Sequence, residues 1–117
     1  MCGFVASLNW SKVGVDSRRG VIRGTRLIEH RGPDDEAFYF SPEFCAGFRR
    51  LSIIDLSDAG RQPMSDASGR FWIVFNGEIY NYKEIRNELV QLGHAFRTNG
   101  DTEVLLAAYM RWGQDSL

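Results

Sequence analysis

Apolar and polar positions alternate from the start of the chain. Between Cys2 and Trp10, Phe4, Ala6 and Leu8 fall on one side and Val5, Ser7 and Asn9 on the other, the two-residue period of a strand. Ser11 to Gly14 reads as a turn. The spacing then changes to that of a helix running from Asp16 or Ser17, either of which can cap it, to about Glu29. Val21, Ile22, Thr25 and Ile28 lie on its inner side, and Arg18, Arg19, Arg23 and Arg26 form a solvated face. His30-Arg31-Gly32-Pro33-Asp34-Asp35 breaks the helix and turns the chain.

Ala37 to Phe40 and Phe44 to Leu51 are strand-like and are separated by Ser41-Pro42-Glu43, which predicts a hairpin. Leu56 to Gly69 reads as a polar loop. Arg70 to Phe75 is almost wholly apolar, the pattern of a strand covered on both faces. A helix follows over Asn81 to Leu92, with Asn81 and Glu84 as a capping-box pair. Its inner stripe is Ile85, Leu89 and Leu92, and Gly93 is its stop. Ala95 to Arg97 reads as a short strand. Asp101 caps a last helix, Thr102 to Trp112, with Leu105, Ala108 and Trp112 on one side and Gly113 after it. Strand, helix, several strands, helix, helix is an α+β layout with mainly antiparallel strands. No internal repeat or low-complexity segment is visible.

Composition narrows the function classes. The 117 residues are 44% hydrophobic and 25% charged, with 13% aromatics, which suits one soluble domain at most. The formal net charge is −1 and no basic run occurs, which argues against nucleic acid and against an anionic membrane surface. No apolar run is long enough to cross a bilayer, and the N-terminus lacks the basic-then-apolar pattern of a signal peptide. Cys2 and Cys45 are therefore expected to be reduced thiols in a cytoplasmic protein.

Cys2 is the first candidate for chemistry. Removal of Met1 would leave a thiol and a free α-amino group on one residue, a nucleophile carrying its own base. A cysteine thiol titrates near ~8.5 and an α-amine near ~7.7–8.0, so the amine can take the thiol proton and later return it to a leaving amine. The plain alternative is a small buried residue behind an initiator methionine. In Phe75-Asn76-Gly77-Glu78, the Asn-Gly pair is either a turn or an oxyanion hole built from the Asn76 amide and the Gly77 N–H. Each such donor is worth ~3 kcal/mol of transition-state stabilisation. Arg50 is either an ion-paired strand end or a bidentate clamp on a carboxylate. Asp101 is either a helix cap or an acceptor for a substrate ammonium. His30 and His94 fit structural roles better than catalytic ones, since Cys2 brings a base. No set of residues has zinc-site spacing and no glycine-rich phosphate loop occurs, so no metal is expected.

Six motifs occur in order: Met1-Cys2-Gly3-Phe4, His30-Arg31-Gly32-Pro33-Asp34-Asp35, Arg50-Leu51-Ser52-Ile53-Ile54-Asp55, Gln62-Pro63-Met64, Phe75-Asn76-Gly77-Glu78-Ile79-Tyr80-Asn81-Tyr82 and Gly100-Asp101-Thr102-Glu103-Val104. The series resembles the glutaminase domain of class II glutamine amidotransferases, which are N-terminal nucleophile hydrolases. The His-Arg-Gly-Pro-Asp-Asp turn is similar to the branch found in glutamine-hydrolysing asparagine synthases. The resemblance implies that Cys2 attacks the glutamine side-chain amide and that Asn76 and Gly77 form the oxyanion hole. It implies that Arg50 holds the α-carboxylate, that Asp101 and Glu78 bind the α-amino end, and that the backbone of Leu51, Ser52, Ile53 and Ile54 lines the pocket. A zwitterion with an amide tail needs one cationic clamp, one anionic clamp, a nucleophile and a hole, and these residues supply them in number and sign.

The resemblance also implies a four-layer α/β/β/α sandwich, of which residues 1–117 would be the N-terminal part, truncated at the C-terminus. A half-complete sandwich is expected to expose apolar strands such as Arg70 to Phe75. L-glutamine is the implied substrate. The ATP-dependent synthetase domain that would use the ammonia to make asparagine from aspartate is absent from these residues, and ATP and Mg belong with it. It would be supplied in cis or in trans, and a homodimer is among the states left open. Two alternatives stand beside this reading: a non-catalytic or regulatory module of the same ancestry, and a class II amidotransferase with a different nitrogen acceptor.

Overall fold

A computed structural model describes residues 2–11, 14–52 and 58–116. The chain forms two compact units: one of residues 1–53, 61–63 and 74–76, the other of residues 54–60, 64–73 and 77–117.

In the first unit, strand β1 (Gly3–Leu8) and strand β2 (Asp35–Phe40) flank strand β3 (Phe44–Arg50) in the order β1-β3-β2. Both pairings are antiparallel, with Val5 opposite Gly47 and Gly47 opposite Phe38. The expected hairpin is present, closed by Ser41: its N–H donates to the Phe44 carbonyl at 2.7 Å, and its hydroxyl accepts the Phe44 N–H at 3.0 Å. Helix α1 (Val15–Leu27) packs across one face of this sheet, where its Val21 meets Cys45, Val5 and Phe38. The approach is close because Gly47 has no side chain. A Cβ there would lie 2.1 Å from Thr25 Oγ1 and 2.7 Å from Phe38. Helix α1 begins behind Gly14, which makes no side-chain cap, so Asp16 and Ser17 are not caps but lie inside its first turn. Its outward arginines find aromatic and acidic partners, with Arg18 over the Phe40 ring and Arg26 near Glu36.

In the second unit, helix α2 (Tyr82–Gln91) packs against helix α3 (Asp101–Trp112) around buried Leu89, Val104, Ala107 and Ala108. Leu92, placed on the inner stripe by periodicity, is instead half exposed. Helix α2 ends as its glycine predicts. Gly93 has φ +91°, the Gly93 N–H donates to Val90 and the His94 N–H to Leu89, both at 2.9 Å, the paired bonds of a Schellman motif. Its start differs from expectation, since Asn81 makes no side-chain cap bond. A small antiparallel pair, strand β4 (Met64–Ser65) with strand β5 (Trp72–Ile73), lies within the stretch read as loop and strand. Asp66 holds the turn between them, accepting the Phe71 N–H at 2.8 Å and the Ser68 N–H at 2.9 Å. Its bond from the Ser68 hydroxyl, helped by these N–H groups, lowers its pKa to about 2.

Two expected strands are corrected. Arg70 to Phe75 is not a strand covered on both faces: only Trp72 and Ile73 pair, and Trp72 is 37% exposed. The Phe75 main chain is bonded to the side chain of Gln62, which takes it out of any ladder. Ala95 to Arg97 is not a strand either. The Arg97 and Thr98 N–H groups donate to the carboxylate of Glu103 at 3.0 and 2.7 Å, so a side chain takes the place of a neighbouring strand.

Candidate active site

The chain turns at Gly32 directly over the end of β3. A Cβ on Gly32 would lie 2.4 Å from the Arg49 carbonyl carbon and 2.6 Å from the Arg50 nitrogen, so only glycine permits this approach. The contact lets Pro33 form a parallel bridge with Arg50, and the Asp34 N–H donates to the Arg50 carbonyl at 3.0 Å. Asp34 Oδ2 then accepts the Ser52 N–H at 2.8 Å. The end of β3 and the two residues after it are thus fixed from the side by the 32–34 turn.

Cys2 is held against this frame. The Leu51 N–H donates to Cys2 Sγ at 3.3 Å, and the thiol lies 3.5 Å from the Leu51 carbonyl oxygen to which it donates. Arg31 Nε donates to the Cys2 carbonyl at 3.1 Å. The half-buried thiol therefore sits beside the residue following Arg50, whose side chain is buried at the strand end. Neighbouring Arg49 is also buried, held by Glu36 at 3.1 Å and Glu29 at 3.3 Å. Of the residues expected at the site, the structure brings Cys2, Arg50, Leu51 and Ser52 together. Ile53 and Ile54 lie outside the described residues.

Asn76 belongs to the same unit and is exposed. The main chain just before it is anchored by Gln62, whose Nε2 donates to the Phe75 carbonyl at 3.1 Å and whose Oε1 accepts the Phe75 N–H at 2.6 Å. Arg61 is in turn paired through two nitrogens with both oxygens of Asp35, at 2.5 and 2.7 Å. The hydrogen bond from Arg61 holds the Asp35 carboxyl below its usual range, with further help from the charges of Arg61 and Arg50.

Gly77, Glu78 and Asp101 belong to the other unit, where Gly77 and Glu78 are exposed. Asp101 is buried as the first residue of α3, behind the N-cap residue Gly100. Its Oδ2 accepts the Ile79 N–H at 3.0 Å and does not cap its own helix. The expected capping role is thus replaced by a tie to the chain just after Glu78.

Sequence reasoning assigned no role to Arg31, Asp34 or Gln62, which contact Cys2, Ser52 or the residue before Asn76. Arg31, Asp34 and Gln62 all lie inside the recognised motifs. The available signal for Gln62 was chemical: a primary amide carries the donor and the acceptor that one residue of extended main chain requires.

With this geometry in hand, similarity to known proteins has a definite meaning. Residues 1–117 match the glutamine amidotransferase domain family over their whole length, and the chain belongs to that family. It is 43% identical, over 99% of its length, to asparagine synthetase (glutamine-hydrolyzing) 1 of Bacillus subtilis, of which it covers 18%. Identity to asparagine synthetase (glutamine-hydrolyzing) 3 of the same organism is 36% over 98% of the chain and 19% of that protein. Asparagine synthetase (glutamine-hydrolyzing) 1 of Arabidopsis thaliana is likewise 36% identical, over 98% of the chain and 19% of its own length. The chain spans about a fifth of the length of the curated relatives it matches. Among the described residues no helix is long and apolar enough to cross a membrane.

Proposed function

We propose that this domain hydrolyses the side-chain amide of L-glutamine, with Cys2 as nucleophile after removal of Met1. The α-amine takes the thiol proton, and sulfur attacks the amide carbon. Charge builds on the former carbonyl oxygen, where the Asn76 amide and the Gly77 N–H donate to it. The carbon–nitrogen bond then breaks, the proton goes to the leaving nitrogen, and ammonia departs from a γ-glutamyl thioester. Water cleaves the thioester, giving glutamate and the free thiol. Arg50 receives the substrate α-carboxylate, Asp101 and Glu78 receive its ammonium, and the backbone of Leu51 and Ser52 lines the pocket. The observation that carries this reading is the Cys2 thiol held by the Leu51 main chain at the end of the strand that bears Arg50.

The names and lengths of the relatives support a longer protein in which the ammonia serves asparagine synthesis from aspartate. ATP and Mg2+ would belong to that synthetase part, which residues 1–117 do not include. A reduced nucleophilic thiol fits the cytoplasm. The β1-β3-β2 sheet would be one of the two stacked sheets of an α/β/β/α sandwich. Helix α1 covers one face of it, while Phe4 (44% exposed) and Leu8 (63%) leave an apolar strip on the other that a second sheet would bury.

The test is Cys2→Ala in the full-length protein. Glutamate release from glutamine should fall to background, and mass spectrometry of the wild-type N-terminus should find cysteine first. Retained turnover in Cys2→Ala would remove the mechanism.

A further inference from the structure

We infer that Gln62 is the positioning residue for the Asn76 oxyanion donor, through a strap that ties Asn76 to the frame holding Cys2. The inference rests on the glutaminase reading of the site.

The strap follows from contacts within one unit. Leu51 bonds Cys2, and Ser52 bonds Asp34. Asp35, next in the chain, is paired with Arg61, and Gln62 bonds the Phe75 main chain one residue before Asn76. Nucleophile and oxyanion donor are thereby referenced to the same strand ends, although 74 positions separate them in the chain. The Gln62 amide satisfies both the N–H and the carbonyl of Phe75, so its own orientation is dictated: only oxygen can accept and only nitrogen can donate. Two bonds to one residue fix its main chain in position and in rotation. The direction in which the next side chain leaves the backbone is then fixed too. Gln62 itself is buried, so water does not readily replace it.

An oxyanion donor works only where it is aimed before charge develops, and a displacement of about 1 Å can cost about 100-fold in rate. Gln62 should therefore act on kcat and leave the binding of glutamine nearly intact. In the full-length protein, Gln62→Ala should lower kcat for glutamine hydrolysis about tenfold or more, with KM within about threefold. Alkylation of Cys2 by iodoacetamide should keep its wild-type rate. In an Asn76→Ala background the same substitution should cost little further, because the group it aims is gone.

Gln62→Glu keeps the shape of the side chain and supplies a second readout should the alanine variant fold poorly. Its carboxylate accepts the Phe75 N–H but faces the Phe75 carbonyl without a proton. Its neutral acid can serve both groups. Burial opposite the Phe75 carbonyl raises the pKa of that acid above the usual ~4.3, so the ratio of its kcat to that of wild type should rise as pH is lowered from about 8 to about 5.

An unchanged kcat per folded site in Gln62→Ala would overturn the proposal. So would a rise in KM alone, full additivity with Asn76→Ala, or a pH-independent ratio for Gln62→Glu. Cys2→Ala separates the two levels: turnover surviving in that variant would remove the glutaminase reading itself. Loss of turnover in Cys2→Ala with normal kcat in Gln62→Ala would remove only the strap.

Discussion

Gly32→Ala tests the link between close packing and the site more directly than any change in a core side chain. The added Cβ would stand 2.4 Å from the Arg49 carbonyl carbon, 2.5 Å from its oxygen and 2.6 Å from the Arg50 nitrogen. Ordinary contact begins at 3.4 Å, so the turn and the strand must separate by roughly 1 Å. The obstacle is backbone of the central strand, which no rotamer change can move aside. The Asp34 N–H bond to Arg50, at 3.0 Å, cannot survive that shift at full strength, and the Asp34 tie to Ser52 moves with it. Overpacking of this kind costs about 1–3 kcal/mol, and loss of a hydrogen bond adds about 1 kcal/mol. Gly20→Ala is the control: it lies in α1, and none of the described residues comes within 4 Å of the added atom. There alanine should stabilise by about 0.5–1 kcal/mol. Urea unfolding of both variants, with glutamine turnover per folded site, gives the comparison. Gly32→Ala should be less stable and slower by about tenfold or more, since Leu51 and Ser52 move relative to Cys2. Wild-type stability and turnover in Gly32→Ala would show that the turn does not hold the site.

Two further outcomes are expected. Burial works against ionisation of Glu103, but the bonds from Arg97 and Thr98 outweigh it and lower its pKa, so its contribution is present above about pH 4.3 and is lost as pH falls through the depressed folded value. Glu103→Gln should cost about 1–3 kcal/mol at pH 7 and flatten the acid limb of the stability–pH curve; an unchanged limb would contradict the assignment. Burial raises the pKa of the Cys45 thiol, which is fully covered by α1 and the sheet, so iodoacetamide under native conditions should label Cys2 and reach Cys45 only after unfolding.

Much was readable from residue order, and the reason is local. Helix α2 stops at Gly93 because a positive φ is cheap only for glycine, and that choice is made within a few residues. The 37–51 hairpin and the inner face of α1 follow from periodicity, because burial of one face repeats with the pitch of the element. The caps were less legible: Asp16, Asn81 and Asp101 have the right chemistry for capping, yet none caps its helix. Asp101 shows why, for its carboxylate finds a better-placed N–H on Ile79, 22 residues away. The apolar run from Arg70 to Phe75 carried every sign of a buried strand, but a side chain from position 62 took its last main-chain groups.

The sequence alone determined the chemical inventory: an early thiol, an arginine at the end of an apolar strand, an Asn-Gly pair and an acidic residue before an apolar helix, in an order that resembles a known family. Only the tertiary structure decided how the Cys2 part of that inventory is held. Gly32 against β3, Leu51 on Cys2 and Gln62 on Phe75 are contacts between segments remote in the chain, and they depend on distances of a few tenths of an ångström. Periodicity reports which face of an element is buried. It carries no record of which backbone N–H a distant side chain will meet.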